Sequence, residues 1–189
     1  MSGKQLAKPR NPSAPVEEIS LVEDMANFSL SEVENDGVTH INIDDASRTE
    51  LGQLLGTLAE TPFTHPIYGP FRTLEGFWRW VCAENRQQHD QLRSISGLSA
   101  HQYGKQKTKQ VKIANFRREI ILASYYKITQ NPNLEYLLVS SSLPFKSYYL
   151  HGPNRILVHS THCNWLIEGL THIREYLQGD RKKEFDPKK

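Results

Sequence analysis

The chain has 189 residues, 38% of them hydrophobic and 23% charged, which is enough apolar side chain to bury one core and too much for a disordered polymer. No run approaches the ~20 consecutive apolar residues of a membrane-spanning helix, and residues 1–15 lack the apolar stretch of a secretory signal, so a cytoplasmic protein without a membrane partner is expected. A formal net charge of +2 argues against a dedicated polyanion binder.

The net charge hides an asymmetry. Residues 1–15 carry +3, residues 16–60 carry −10, residues 61–179 carry +7 and residues 180–189 carry +2. An acidic leader therefore precedes a basic body, and the basic body suits a phosphate-bearing ligand. The two cysteines, Cys82 and Cys163, are too few for a disulfide framework.

In chain order, residues 1–15 read as a flexible tail with Pro9, Pro12 and Pro15. Residues 16–38 form an acidic leader or arm whose scattered apolar residues fit a short helix or an extended arm equally. Thr39 to Ile43 alternates polar and apolar, as a half-buried strand does. Ser47-Arg48-Thr49-Glu50 has capping-box spacing ahead of Leu51, Leu54, Leu55 and Leu58, which predicts a helix over about 48–60. Thr61 to Pro70, with three prolines and Gly69, reads as a loop.

Thr73 can cap a helix bearing Leu74, Phe77, Trp78 and Val81. Ser99 to Gln102 has the spacing of a second capping box and opens a short helix that stops at Gly104. A long helix is predicted from about Lys109 to Gln130, ended by Asn131-Pro132, with Pro132 opening the next helix over 133–138. Val139 to Leu150 reads as strand or extended chain around Pro144, and 156–158 as a strand after the Gly152-Pro153-Asn154 turn. Asn164 caps a last helix with the stripe Leu166, Leu170, Ile173 and Leu177, closed by Gly179, before a charged tail at 180–189. Residues 39–179 thus form one α+β domain, predominantly helical, with few short strands.

The densest aromatic stretch, Phe71 to Trp80, places Glu75 in the first turn of its helix beneath a Pro/Gly-rich loop. A carboxylate walled by aromatics is partly desolvated and suits acid–base or sugar-cation chemistry. Its plainer role is to complement the helix dipole. Lys105, Lys107, Lys109 and Lys112, with Arg117 and Arg118, lie near a helix N-terminus that could hold a phosphate, or form a solvated face. His159, His162 and Cys163 match no standard structural zinc spacing, so no metal or other cofactor is expected. Phosphate-loop, dinucleotide-fold and serine-elbow motifs do not occur.

These segments together resemble the NADAR superfamily over Phe63 to Leu177. Thr73-Leu74-Glu75-Gly76-Phe77-Trp78 resembles the family's Thr/Ser-x-Glu-His leading into an aromatic helix. Ala100 to Lys105 resembles its Ala-x-x-Leu-Gly-Arg. Lys112 to Phe116 followed by Asn131-Pro132-Asn133-Leu134, and Asn164-Trp165-Leu166 with Ile173 to Leu177, resemble its later elements. The family's His is Gly76 here, its following Lys is replaced near Cys82, and its Asp-x-x-Trp-Gly element has only Tyr149 to Gly152 nearby. The resemblance implies a compact helix-rich NADAR-like domain and an N-glycosidase-like hydrolase. Its substrate would be a phosphorylated ribosyl or ADP-ribosylated nucleotide compound. Glu75 is then the catalytic carboxylate, and Trp78, Trp80, Lys105, Lys112, His151 and Asn164 are substrate-binding candidates. The alternative is an inactive NADAR-like binding module for a nucleotide, nucleic acid or protein partner.

Overall fold

The structure is a computed structural model describing residues 31–83, 86–107, 115–153, 155–179 and 185–187, with the backbone alone described at 86–88, 105–107 and 162. The chain divides into two compact units, Met1–Glu34 and Asn35–Lys189, and the elements below all belong to the second. The tail expected at 1–15 and the leader up to residue 30 lie outside the described residues.

The second unit is α+β and mostly helical. Its elements are β1 (Ile41–Asn42), α1 (Glu50–Leu55), β2 (Phe63–His65), β3 (Gly69–Phe71), α2 (Leu74–Trp80), α3 (Arg86–Ser94), α4 (Gly97–Lys107), α5 (Phe116–Thr129), α6 (Pro132–Ser140), β4 (Phe145–Lys146), β5 (Tyr148–His151), β6 (Ile156–His159) and α7 (Asn164–Gln178). The strands form three two-stranded ladders: β1 with β4, β2 with β3, and β5 with β6. The first is parallel, with Ile41 opposite Phe145, and the other two are antiparallel.

Helix α2 sits at the centre, against α3, α4 and α5, while α5 packs on α6 and α7. Phe77, Ile120, Leu138 and Ile173 have no exposed surface and anchor these contacts. Phe77 also meets Phe71 edge-on at 5.0 Å and stacks on His65 at 5.4 Å, which ties the β2–β3 hairpin to α2. No described helix is long and apolar enough to cross a membrane.

Several sequence expectations are corrected by packing. The β1 region is not half-buried, because His40, Ile41, Asn42 and Ile43 are all buried. Its polar residues are satisfied inside: His40 Nε2 lies 2.9 Å from the Tyr148 hydroxyl. The Asn42 amide donates to the Tyr148 carbonyl at 3.0 Å and accepts from its N–H at 3.0 Å. The segment 61–70 is not an irregular loop but contributes the hairpin β2–β3, with Gly69 at φ 82° in its return.

Helix α1 is shorter than 48–60. Thr49 caps it by accepting from the Gly52 N–H at 3.0 Å, and Gly56 leaves the helix in extended conformation. Ser47 is occupied elsewhere, donating at 2.8 Å to Asp36. The buried Asp36 carboxylate also accepts from the backbone N–H of Asn42 (2.8 Å) and Arg48 (2.7 Å), so it fixes the loop between β1 and α1. The capping box at Ser99 is not formed either: α4 begins at Gly97, Ser96 Oγ accepts from the Ser99 N–H at 3.3 Å, and Gly104 lies inside the helix. Helix α5 is described from Phe116, and 108–114 lie outside the described residues. Helix α6 opens at Pro132, as its missing N–H favours, and runs on to Ser140. Phe185, within the segment expected as a charged tail, stacks on Tyr125 at 4.6 Å.

Candidate active site

Thr73 caps α2, its hydroxyl accepting from the Gly76 N–H at 3.0 Å. The second residue of that helix is Glu75, with 4% of its surface exposed. Its backbone N–H donates to the Thr57 carbonyl at 2.8 Å, which locks the start of α2 to the turn after α1.

The Glu75 carboxylate is held from three directions. Oε1 accepts from Arg79 Nε at 2.8 Å and Nη2 at 2.7 Å, one helical turn along. The same oxygen is 2.9 Å from Nδ1 of His101 on α4. Oε2 accepts from the Thr57 hydroxyl at 2.9 Å. A carboxylate so buried is tolerated only because each oxygen has donors, with the Arg79 guanidinium supplying a compensating charge.

Glu75 faces a cavity of about 440 Å³. Its walls come from the loop after β1 (Asp44, Asp45), the turn after α1 (Thr57), α2 (Trp78, Arg79), α4 (His101) and the start of α7 (Cys163). The volume lies within the range of small-molecule sites. Half-burial, together with the neighbouring Asp45 charge, pushes the Asp44 carboxyl up to about 6. Burial and the Glu75 charge push the Cys163 thiol up, so it stays neutral at physiological pH. Trp78 forms an aromatic wall, packed edge-on to Phe116 at 5.3 Å and tilted on Trp165 at 5.6 Å.

The floor is braced from the core. Lys127 on α5 has 1% of its surface exposed, and its Nζ donates at 2.7 Å to the Gly56 carbonyl, next to Thr57. Desolvation lowers its pKa to about 7.

Two glycines set these distances. A Cβ at Gly104 would overlap the Arg79 side chain, so glycine is what lets α4 press against the arginine that holds Glu75. Gly104→Ala is expected to keep the fold, since a flexible side chain can yield, while pulling Arg79 from the carboxylate. The Arg79–Glu75 pair, 2.7 Å apart in the native chain, should then lengthen or open, as a crystal structure of the variant would show. An Arg79–Glu75 pair left unchanged in that variant would remove the role given to the close approach. At Gly76 a Cβ would come within 2.5 Å of the Leu92 carbonyl on α3. The histidine of the family motif has no room there, because α3 occupies its place.

Of the sequence-derived candidates, Glu75 and Trp78 line the cavity together. Trp80 does not: it packs beside Phe71 (5.7 Å) and His89 (4.4 Å) and beneath the Arg93 guanidinium (5.0 Å). His151 is exposed at the end of β5, outside the lining. Asn164 is exposed as the first residue of α7, where Cys163 stands at the cap, and its neighbours Cys163 and Leu166 line the cavity instead. Lys105 belongs to α4 with its side chain undescribed, and Lys112 lies outside the described residues.

Thr57, Arg79, His101 and Asp44 were not legible as site residues. One signal was present: His101 and Gly104 are three apart on α4, so a polar ring shares a face with a glycine that admits close packing.

No protein-family model matches the sequence, and no curated protein matches it. Among solved structures, the NMR structure of the Escherichia coli protein YbiA superposes with a TM-score of 0.56 at 14% identity, covering 82% of this chain and 97% of that one. The chain therefore shares the α+β fold of YbiA.

Proposed function

We propose that the chain is a NADAR-family N-glycosidase-like hydrolase that cleaves the bond between a ribosyl carbon and a base nitrogen. Its substrate is a phosphorylated ribosyl or ADP-ribosylated nucleotide compound. The observation that carries the proposal is Glu75: a buried carboxylate on the wall of a 440 Å³ cavity, beside an aromatic face. Breaking an N-glycosidic bond builds positive charge on the sugar, and a fixed anion in a desolvated site stabilises it without reorganising. Trp78 supplies a face on which a base can stack. The orientation of Glu75 is set by Thr57, Arg79 and His101 before any substrate arrives.

A binding module is the second reading, and Gly76 with Cys82 favours it, since both stand where the family motif has other residues. Cys82 is buried, and a thiol is neutral or anionic, so it cannot replace a lysine's positive charge.

The two readings separate in one assay. The wild-type protein is incubated with N-ribosyl 5-phosphates and ADP-ribosylated nucleosides, and free base is followed by chromatography. Base release supports the hydrolase. Tight binding with no product over hours supports the binding module.

A further inference from the structure

We infer that His101 is a second catalytic residue: its Nε2 takes the proton from the attacking water, and Glu75 holds the ring in the tautomer that makes this possible. The inference rests on the hydrolase proposal and assigns the proton acceptor within that same cavity.

The hydrogen-bonding capacity of each group fixes the tautomer. His101 Nδ1 lies 2.9 Å from Glu75 Oε1 and 3.2 Å from Arg79 Nη2. An ionised carboxylate only accepts, and a guanidinium only donates. Nδ1 cannot donate to one and accept from the other at once. Arg79 already donates to Glu75 Oε1 through Nη2 at 2.7 Å and Nε at 2.8 Å. The shorter His101 contact is to the carboxylate, so the Nδ1 proton goes there. A neutral imidazole with hydrogen on Nδ1 carries its lone pair on Nε2.

Nε2 is on the opposite edge of the ring from Glu75. It makes no hydrogen bond among the described residues, while the ring lines the cavity with 34% of its side-chain surface exposed. Among the described residues, the unpartnered basic atom of this cluster is therefore a histidine nitrogen held by a buried carboxylate. Glu75 is a poor base by comparison, because its two oxygens already accept from Arg79, His101 and Thr57. Carboxylate, imidazole and substrate water then form a relay in which the carboxylate orients and the imidazole moves the proton.

The step balances without a further reactant. The ribosyl C–N bond breaks and its electron pair goes to the base nitrogen. The water oxygen bonds to the anomeric carbon and gives one proton to Nε2. The imidazolium formed is stabilised by the Glu75 anion 2.9 Å away. It then releases that proton to the departing nitrogen.

The test uses the full chain and two substitutions. His101→Asn keeps an N–H donor close to the position of Nδ1 but has no basic nitrogen beyond it. His101→Ala leaves space for added imidazole. With an N-ribosyl 5-phosphate that the wild type cleaves, His101→Asn is expected to lose about 10²–10⁴-fold in kcat while KM changes little. Added imidazole is expected to restore part of the turnover of His101→Ala. A merely structural histidine would give near wild-type kcat in the Asn variant and no imidazole rescue, and that pair of results overturns the inference while leaving the hydrolase standing. No turnover by the wild type across the substrate set overturns both. Independently of activity, histidine side-chain nitrogen NMR on the wild type should place the neutral ring's proton on Nδ1, and a proton on Nε2 would also overturn it.

Discussion

Replacing Glu75 with Gln should abolish measurable base release, lowering catalytic efficiency by about a thousandfold or more, while the protein stays folded. The amide is nearly isosteric, and it can still accept from Arg79 and meet the Thr57 hydroxyl. What it loses is the negative charge. A developing sugar cation then faces the Arg79 guanidinium without the Glu75 anion that offsets it, so stabilisation is lost while the repulsion stays. Loss of one preorganised electrostatic partner commonly costs ~3–4 kcal/mol in the transition state, and the loss of ring polarisation at His101 adds to it. Stability should drop only modestly, because Arg79 keeps 21% of its side chain in contact with solvent and can hydrate. Steady-state kinetics beside a thermal melt separates the two effects. Wild-type-like turnover by Glu75→Gln would sink the hydrolase assignment. A large loss of melting temperature would move Glu75 from chemistry to structure.

The elements that set up this site were unevenly visible in the sequence. The cap at Thr73, the first-turn position of Glu75 and the start of α6 at Pro132 are local, since each depends on residues within a turn of one another. The hairpin at 63–71 was hidden because its strands have three residues each, too few to show alternation, and Pro66 and Gly69 mark the turn as readily as a loop. Gly104 looked like a stop signal, yet it is interior to α4 and is required by Arg79 on another helix. The partners of Glu75 are remote in sequence: Thr57 is 18 residues before it and His101 is 26 after it. No local pattern brings a histidine to a carboxylate across that distance. Only the packing of α4 on α2 does. The basic cluster around Lys105 and Lys112, conspicuous in composition, lies outside the described side chains, and the described cavity walls carry Asp44, Asp45 and Glu75 against Arg79 and His101.

Lys127, a lysine with 1% of its surface exposed, gives the second large expectation. It falls on the buried stripe of α5, seven residues on from Ile120 and four on from Ala123, both fully buried. Its ammonium reaches the Gly56 carbonyl, 71 residues away, at 2.7 Å. Burial lowers its pKa from 10.5 to about 7. The unfolded chain thus binds a proton more readily than the folded one between about pH 7 and 10. Stability must therefore rise with pH through that window as far as this group is concerned, and the penalty is fully present below it. A shift of this size corresponds to roughly 4–5 kcal/mol at its limit. Lys127→Met fills much the same volume without the charge, at a cost of about 1–3 kcal/mol for leaving the Gly56 carbonyl unpaired. Below pH 7 the variant should be more stable than the wild type by a few kcal/mol, and by pH 10 the order should reverse. Denaturant unfolding of both proteins at pH 6 and pH 10 measures this directly. A difference between them that does not change with pH would mean that Lys127 is not desolvated as its burial indicates. Because Gly56 precedes the threonine that holds Glu75 Oε2, the methionine variant should also loosen that contact, and its turnover should fall even where its stability rises. Stability and activity would then move in opposite directions at one residue, which is the signature of a buried charge kept for the position of its partner rather than for the strength of the fold.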